Sequence, residues 1–256
     1  MVTFVGAGSG APDLITVRGA KVLAEADVII YAGSLVNPAL LDYKKEGCAV
    51  WNSAKMTLEE VFAVMREAEA EGKRTVRLHT GDPCLYGAIK EQMELLDEAG
   101  IPYEVVPGVS SFCGAAAAVK AEYTLPEVSQ TVIITRMEGR TPVPEREKIR
   151  SLAAHQSTMV VFLSTGLLEG LSRELIAGGY APDTPAAIVY KATWPDEKVF
   201  RCTVETLART AEENGITKTA LILVGNFLNG TVERSKLYDP AFTTEFRQGT
   251  DSCGSK

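Results

Sequence analysis

Residues 2–31 read VTFVGAGSGAPDLITVRGAKVLAEADVIIY, and this stretch decides the fold. It begins with a short run of β-branched and aromatic residues, turns at three closely spaced glycines, and continues as a helical segment over residues 15–26. It ends in the apolar run 28–31, which shows no polar–apolar alternation and is typical of a parallel strand covered on both faces. The order strand, glycine turn, helix, strand predicts an α/β fold.

The same alternation continues through the first half of the chain. Further helices are predicted over residues 57–71, 86–99 and 114–120, and further strands over residues 75–78 and 103–106. We therefore predict an α/β domain with a largely parallel sheet over residues 1–120.

A second domain is predicted after a break in the pattern. Periodicity is lost over residues 121–130, where we place the boundary. Beyond it, strands are predicted over residues 131–135, 159–163, 186–190 and 220–224, with helices over 167–177 and 204–214. These elements predict a second α/β domain over residues 121–232. A C-terminal extension follows over residues 233–256, and its polar end is expected to form a loose tail.

Composition and charge exclude several classes of protein. The 256 residues are 46% hydrophobic with a net charge of −7, which excludes a disordered chain and gives no overall attraction for nucleic acid or anionic lipid. No basic leader or membrane-spanning run is found, so a cytoplasmic protein that binds no membrane is expected. Five Cys without Cys-x-x-Cys spacing and two His predict no metal site.

Three loops that follow predicted strands are candidates for a ligand site. The first contains Gly6, Gly8 and Gly10. Its spacing is Gly-x-Gly-x-Gly, and the next strand lacks the acidic residue that binds a ribose in dinucleotide sites. A dinucleotide site is therefore disfavoured for this loop, and a tight turn and a glycine wall facing another ligand remain the main alternatives.

The second loop is His79-Thr80-Gly81-Asp82-Pro83, and the third is Pro107-Gly108-Val109-Ser110-Ser111. Asp82 and the two serines are also suitable residues for capping the helices that follow. In an open parallel sheet, however, ligands bind outside the carboxyl ends of the strands, where all three loops are expected to lie.

Taken together, the three loops resemble those of the tetrapyrrole methylases. The resemblance extends over nearly all of residues 2–230. It implies two α/β domains with the active site in the cleft between them, and methyl transfer from S-adenosylmethionine to the macrocycle of the cobalamin and sirohaem pathways. Residues 31–36, 53–58 and 135–142 are most similar to members that methylate carbon 11 of precorrin-4 or cobalt-precorrin-4. One departure is Ser9, where many relatives have Pro.

The resemblance also implies roles for individual residues. Those matching the cofactor-binding loops and strand ends are Ser9, Thr80, Gly81, Asp82, Leu85, Ser110, Ser111, Leu163 and Ala187. The nearest candidate acid–base or electrostatic groups are Asp82, His79 and Tyr86. The tetrapyrrole's carboxylates need positive partners on this acidic chain, and the macrocycle needs apolar contact. The candidates for both are Lys55, Arg136, Met137, Arg140 and Lys191. Each charge alone can also be a solvated surface group, and Met137 can be part of the core.

Other functions remain open at this point. The chain could methylate another ring carbon, as enzymes acting on uroporphyrinogen III, precorrin-2 or precorrin-3 do, or it could be of the diphthine synthase type. It could also bind or carry a tetrapyrrole without catalysis. A homodimer is expected from the family resemblance.

Overall fold

A computed structural model of the chain describes residues 1–229 and 238–250. The first of two structural units comprises Met1–Val119, Val189–Val199 and Thr219–Leu221, and the second comprises the rest of the described chain. Each unit is built on a five-stranded sheet flanked by helices, which confirms the prediction of two α/β domains. Much of the predicted C-terminal extension, including its tail at residues 251–256, lies outside the described residues.

The first sheet is parallel. Its strands are β1 (Val2–Gly6), β2 (Val28–Tyr31), β3 (Ala49–Asn52), β4 (Thr75–His79) and β5 (Tyr103–Val106). Its helices are α1 (Val17–Glu25), α2 (Leu58–Ala70), α3 (Lys90–Glu98) and α4 (Ser111–Val119). The strand order is β3-β2-β4-β1-β5, so β1 lies between β4 and β5. Because the strands are parallel, the loops after β1, β4 and β5 leave from the same edge of the sheet.

Both faces of this sheet are covered by apolar side chains. On one face, Val5 and Ile29 pack with Leu23 of α1. On the other, Phe4 and Ile30 pack with side chains of α2 and α3. Burial on both faces explains why β2 is continuously apolar in sequence.

The second sheet is mixed. Its strands are β6 (Val132–Arg136), β7 (Thr158–Phe162), β8 (Pro185–Tyr190), β9 (Lys198–Thr203) and β10 (Ala220–Val224), in the order β6-β7-β10-β8-β9. The pair β6–β7 is parallel and the pair β7–β10 is antiparallel. The helices here are α5 (Ile149–Ala153), α6 (Leu168–Ala177) and α7 (Leu207–Glu213). None of the helices in the described ranges is both long and apolar enough to cross a membrane.

The clearest differences from the sequence prediction are the unpredicted edge strands β3 and β9, the unpredicted short helix α5, and the later start of α3. Strands β3 and β9 escape prediction because both are edge strands whose residues are largely exposed or half-buried, so they lack a buried apolar pattern. Helix α3 begins at Lys90 and not at residue 86. Tyr86 and Ala88 have φ values of 55° and 49°, which a right-handed helix does not accommodate.

The three loops at the carboxyl edge touch through their backbones. A Cβ added to Gly6 would lie 2.5 Å from the Cα of Gly108 and 2.7 Å from the carbonyl oxygen of Gly81. The N–H of Gly81 also donates to the carbonyl of Gly8 at 2.8 Å. Glycine is therefore required at Gly6 because neighbouring main chain fills the space that a side chain would need. We call this contact of Gly6, Gly81 and Gly108 the glycine junction.

The glycine junction makes Gly6→Ala a test of this packing. The added methyl would meet backbone atoms that no side-chain rotation can move, so we expect a loss of about 2–3 kcal/mol in the free energy of unfolding. The matched control is Gly166→Ala, because no atom lies within 4 Å of the position that a Cβ would take there. Urea denaturation followed by circular dichroism measures both. Equal stability of the two variants would contradict the packing described.

Candidate active site

Asp82 links the loops that follow β4 and β5. Its Oδ1 accepts a hydrogen bond from the backbone N–H of Cys84 at 2.8 Å, and its Oδ2 accepts one from the N–H of Gly108 at 2.8 Å. Partial burial raises the pKa of Asp82, but hydrogen bonds from Cys84 and Gly108 oppose this effect and leave the pKa below its ordinary value. The carboxylate is therefore ionised at neutral pH and holds two loops of the glycine junction.

The predicted cofactor residues of the first unit lie around this junction. A Cβ on Gly81 would be 3.4 Å from the backbone nitrogen of Ser111 and 3.5 Å from the Cα of Ser110. Ser110 is buried, and its carbonyl accepts from the N–H of Gly114 in the first turn of α4. The hydroxyl of Thr80 donates to the carbonyl of Leu35 at 3.1 Å. Gly81 thus lies beside Ser110 and Ser111, with Thr80 and Asp82 as its neighbours in the chain.

Leu85 adjoins the same group through the backbone. Its N–H donates to the carbonyl of Asp82 at 3.3 Å, and its side chain is half-buried. The loop between β4 and α3 therefore carries four of the predicted cofactor residues.

Ser9 is covered by another segment of the first unit. Its hydroxyl lies 3.0 Å from that of Thr193, which also accepts from the N–H of Ala11 at 3.0 Å. The N–H of Thr193 in turn donates to Glu197 at 2.6 Å. Ser9 is only 7% exposed, so its hydroxyl fastens the first glycine loop to this segment.

Trp194 occupies the space beside Gly10. A Cβ on Gly10 would lie 2.1 Å from Cδ1 of the indole. The Nζ of Lys191 is 5.6 Å from the centre of the Trp194 ring and 2.6 Å from Oδ2 of Asp196. The hydrogen bond to Asp196 is the main cause of the raised pKa of Lys191. Lys191, predicted to bind a substrate carboxylate, therefore already has a carboxylate partner.

The other predicted acid–base groups differ sharply in exposure. His79 is 4% exposed, its ring centre is 6.0 Å from that of Phe4, and its Nε2 has no hydrogen-bond partner in the described part of the chain. Burial, with a smaller contribution from the charge of Arg77, lowers the pKa of His79 to about 3. A neutral, enclosed imidazole does not fit the acid–base role expected of it. Tyr86 is 45% exposed.

The predicted substrate residues are not gathered by direct contact. Arg136 donates to the carbonyls of Thr141 and Pro142 at 3.1 Å and 2.8 Å, so its guanidinium braces the loop after β6. Met137 packs against α6, since a Cβ on Gly170 would lie 2.8 Å from its Cε. Among the predicted substrate-binding cations, the exposed ones are Lys55, which follows β3, and Arg140, in the loop after β6.

Two predicted cofactor residues belong to the second unit. Leu163 follows β7, is 63% exposed and has a φ of 51°, in the left-handed region. Ala187 lies within β8 and is fully buried. Across residues 1–229 and 238–250, no group of three or more His, Cys, Asp or Glu side chains is placed to hold a metal ion.

Comparison with known proteins matches residues 1–208 to the family model of tetrapyrrole (corrin/porphyrin) methylases. The chain belongs to the tetrapyrrole methylases. It is 56% identical over 248 residues to cobalt-precorrin-4 C(11)-methyltransferase of Methanocaldococcus jannaschii, covering 96% of each chain. The resemblance stated from the sequence is therefore confirmed.

Solved structures agree with this family. The X-ray structure of the cobalamin biosynthetic enzyme cobalt precorrin-4 methyltransferase is similar with a TM-score of 0.87 and 52% identity, over 90% of this chain and 96% of that one. Uroporphyrin-III C-methyltransferase of Thermus thermophilus, complexed with S-adenosylhomocysteine, matches with a TM-score of 0.73 and 27% identity, over 91% and 95%.

Sequence reasoning missed several polar residues of this methylase. Thr193 and Glu197 were not singled out because nothing in their local sequence relates them to Ser9, which lies 184 positions from Thr193. Arg77 and Gln92 were also missed, although a signal was present. Arg77 lies between the apolar residues Val76 and Leu78 in a strand of a sheet covered on both faces, where a buried charged side chain is rare unless it is paired or hydrogen-bonded.

Asp82→Asn tests the link that this carboxylate forms within the methylase. An amide can accept from only one of the two N–H groups, so we expect a loss of about 1–3 kcal/mol in the free energy of unfolding at pH 7. Because the folded-state pKa of Asp82 is lowered, its stabilisation is fully present above the unfolded pKa, about 3.9. It is lost as the pH falls through the lower folded-state value.

Urea unfolding of wild type and Asp82→Asn at several pH values measures this difference, with the exposed Asp42→Asn as control. The difference in the free energy of unfolding between wild type and Asp82→Asn should become smaller toward acid pH. If this difference in the free energy of unfolding stays constant from neutral pH to below the folded-state pKa, the charge of the carboxylate contributes nothing to stability.

Proposed function

We propose that this chain is an S-adenosylmethionine-dependent methyltransferase that methylates carbon 11 of precorrin-4 or cobalt-precorrin-4 in corrin-ring (cobalamin) biosynthesis. The observation that carries the proposal is the near full-length similarity to the archaeal enzyme of that name. The arrangement of the three loops at the carboxyl edge supports it, since ligands of parallel sheets bind there.

The residues around Asp82 suit the proposed cofactor. S-adenosylmethionine carries a positive sulfonium and amine, a carboxylate and ribose hydroxyls, and so needs both a negative charge and hydroxyl partners. Asp82 provides an ionised carboxylate. Ser110 and Ser111, which lie beside Gly81, provide hydroxyls. Hydroxyls can donate to and accept from the polar groups of such a cofactor.

The same donor set can hold the methionine end and ribose of the cofactor, as the family resemblance implies for Thr80, Gly81, Asp82 and Leu85. The S-adenosylhomocysteine-bound methyltransferase among the structural neighbours supports this use of the fold. The adenine contacts assigned to Leu163 and Ala187 remain predictions.

The reaction asks little covalent chemistry of the protein. S-adenosylmethionine supplies the methyl group as an electrophile, and the substrate carbon is the nucleophile. The chain's residues bind, orient and exclude water, and well-oriented reactants can gain roughly 7–11 kcal/mol from positioning. Asp82, held by two backbone N–H groups, places its negative charge without needing to reorganise. His79 is assigned no proton transfer because it is enclosed and neutral.

Substrate carboxylates are proposed to meet the exposed cations Lys55 and Arg140. Both lie a few residues after a strand, Lys55 in a short 3-10 helix and Arg140 in a loop, and neither forms an ion pair within the described ranges. Arg136 and Lys191 are engaged with carbonyls and with Asp196. We propose that Arg136 and Lys191 shape the loops. The exposed cations Lys55 and Arg140 then attract the substrate carboxylates, against the repulsion expected from the chain's net charge of −7.

Cytoplasmic location and a homodimer remain predictions. Sedimentation at several protein concentrations tests the oligomeric state.

The proposed reaction predicts both binding and product. Calorimetry should detect S-adenosylhomocysteine binding, and incubation with precorrin-4 or cobalt-precorrin-4 and ¹³C-methyl S-adenosylmethionine should add one labelled methyl, located at carbon 11 by NMR. Binding with the label at another carbon, or activity only on uroporphyrinogen III or precorrin-2, would move the enzyme to another step. Absence of binding would favour a tetrapyrrole carrier.

Asp82→Ala should bind S-adenosylhomocysteine at least about tenfold more weakly, because loss of the carboxylate frees two loops of the site and removes a charge. Asp42→Ala is the matched control, since Asp42 is exposed. Calorimetry on both folded proteins measures the change. Equal affinity in the two variants would remove Asp82 from the cofactor site.

A further inference from the structure

A buried polar pair lies beneath the loop that carries Asp82. Arg77 points from β4 to the face covered by α2 and α3, and it is 6% exposed. Its Nε donates to Oε1 of Gln92 at 3.0 Å, and its Nη1 donates to the carbonyl of Ile30 at 3.1 Å. Gln92 lies in the first turn of α3 and is also 6% exposed.

The side-chain amide of Gln92 connects Arg77 to the loop through a second hydrogen bond. Because Arg77 can only donate, the oxygen of the amide must face it, and the NH₂ group must face the other way. That NH₂ donates to the carbonyl of Ala88 at 2.8 Å. Arg77, Gln92 and the backbone of Ala88 therefore form a continuous chain of hydrogen bonds from the sheet to the loop.

The loop needs such support because its backbone is strained. Tyr86 and Ala88 both adopt left-handed φ values, of 55° and 49°. Such conformations are unfavourable for non-glycine residues and persist only when surrounding contacts hold them. Asp82 fastens the start of this loop to Gly108, and Gln92 fastens its end at Ala88.

Stability alone does not account for Arg77. Burial lowers the pKa of Arg77 to about 10, and no carboxylate among the described residues pairs with it. A buried charge of this kind is expensive, and well-packed apolar side chains in place of buried ionic groups are often neutral or stabilising. The interactions that Arg77 does make are directed at the strand β2 and, through Gln92, at the loop.

We propose that Arg77 and Gln92 are positioning residues for the cofactor, which act by holding the segment from Asp82 to Ala88 in its binding conformation. This inference rests on the proposed function of that loop as part of the S-adenosylmethionine site. Neither residue is proposed to touch the cofactor itself. Their effect passes through the carbonyl of Ala88.

Gln92→Glu separates positioning from stability. Glutamate can still accept from Arg77 and gives that cation a counter-charge, so the melting temperature should be unchanged or higher. It cannot donate to the carbonyl of Ala88, so the end of the loop should come free. The matched control is Gln130→Glu, which makes the same charge change at an exposed position in the second unit.

Two readouts are measured on the full chain. In the absence of ligand, amide hydrogen exchange in the peptide covering residues 82–92 should be at least about tenfold faster in Gln92→Glu than in wild type and Gln130→Glu. In calorimetry, S-adenosylhomocysteine should bind Gln92→Glu about tenfold or more weakly, with folding retained. Unchanged exchange and affinity in folded Gln92→Glu would overturn the inference.

A second variant keeps the test decisive if Gln92→Glu does not fold. Arg77→Met removes the buried charge and leaves the amide of Gln92 without its donor, so loop exchange and affinity should change in the same direction by a smaller factor. If the wild-type protein itself does not bind S-adenosylhomocysteine, that result would instead contradict the proposed function. The two failures are therefore distinguishable.

Discussion

The contact of bare backbone at Gly6, Gly81 and Gly108 is the constraint on which the rest of the first unit depends. Three parallel strands bring three loops to one edge of the sheet, and at Gly6 and Gly108 the backbones meet at distances that exclude a side chain. This close approach brings the carboxylate of Asp82 to the N–H of Gly108 and places Gly81 beside Ser110 and Ser111. The glycines are therefore needed first for loop-to-loop packing, and the ligand-facing groups are positioned by that packing.

Charge is used locally in this acidic protein. Hydrogen bonds keep Asp82 ionised, whereas burial keeps His79 neutral, so two titratable groups three residues apart, at the end of β4 and in the loop after it, have opposite charge states. A fixed negative group suits a cationic cofactor, and a reaction in which the substrate supplies the nucleophile needs no buried base. The positive charge that an anionic tetrapyrrole requires is left to exposed side chains such as Lys55 and Arg140.

Much of the fold could be predicted from sequence because strands buried on both faces are rich in apolar residues. Strand β2 is a continuous apolar run, β1 is rich in β-branched and aromatic residues, and the predicted bounds of β5 agree with those in the structure. The exposed edge strands β3 and β9 have no such apolar pattern. At the site, local motifs identified the loops of Asp82 and Ser110, but not Thr193 or Gln92, whose roles depend on distant partners. Exposure also could not be predicted: the position of His79 suggested a site residue, yet its side chain faces the core.

Titration of the ¹⁵N-labelled protein with S-adenosylhomocysteine, followed by amide NMR, tests most directly whether the loops that meet at the glycine junction form the cofactor site. We expect the largest shifts on the amides from Thr80 to Leu85 and from Gly108 to Ser111. Shifts confined to other regions, such as the polar pocket lined by Gln156, Asp183 and Asn226 in the second unit, would contradict this assignment.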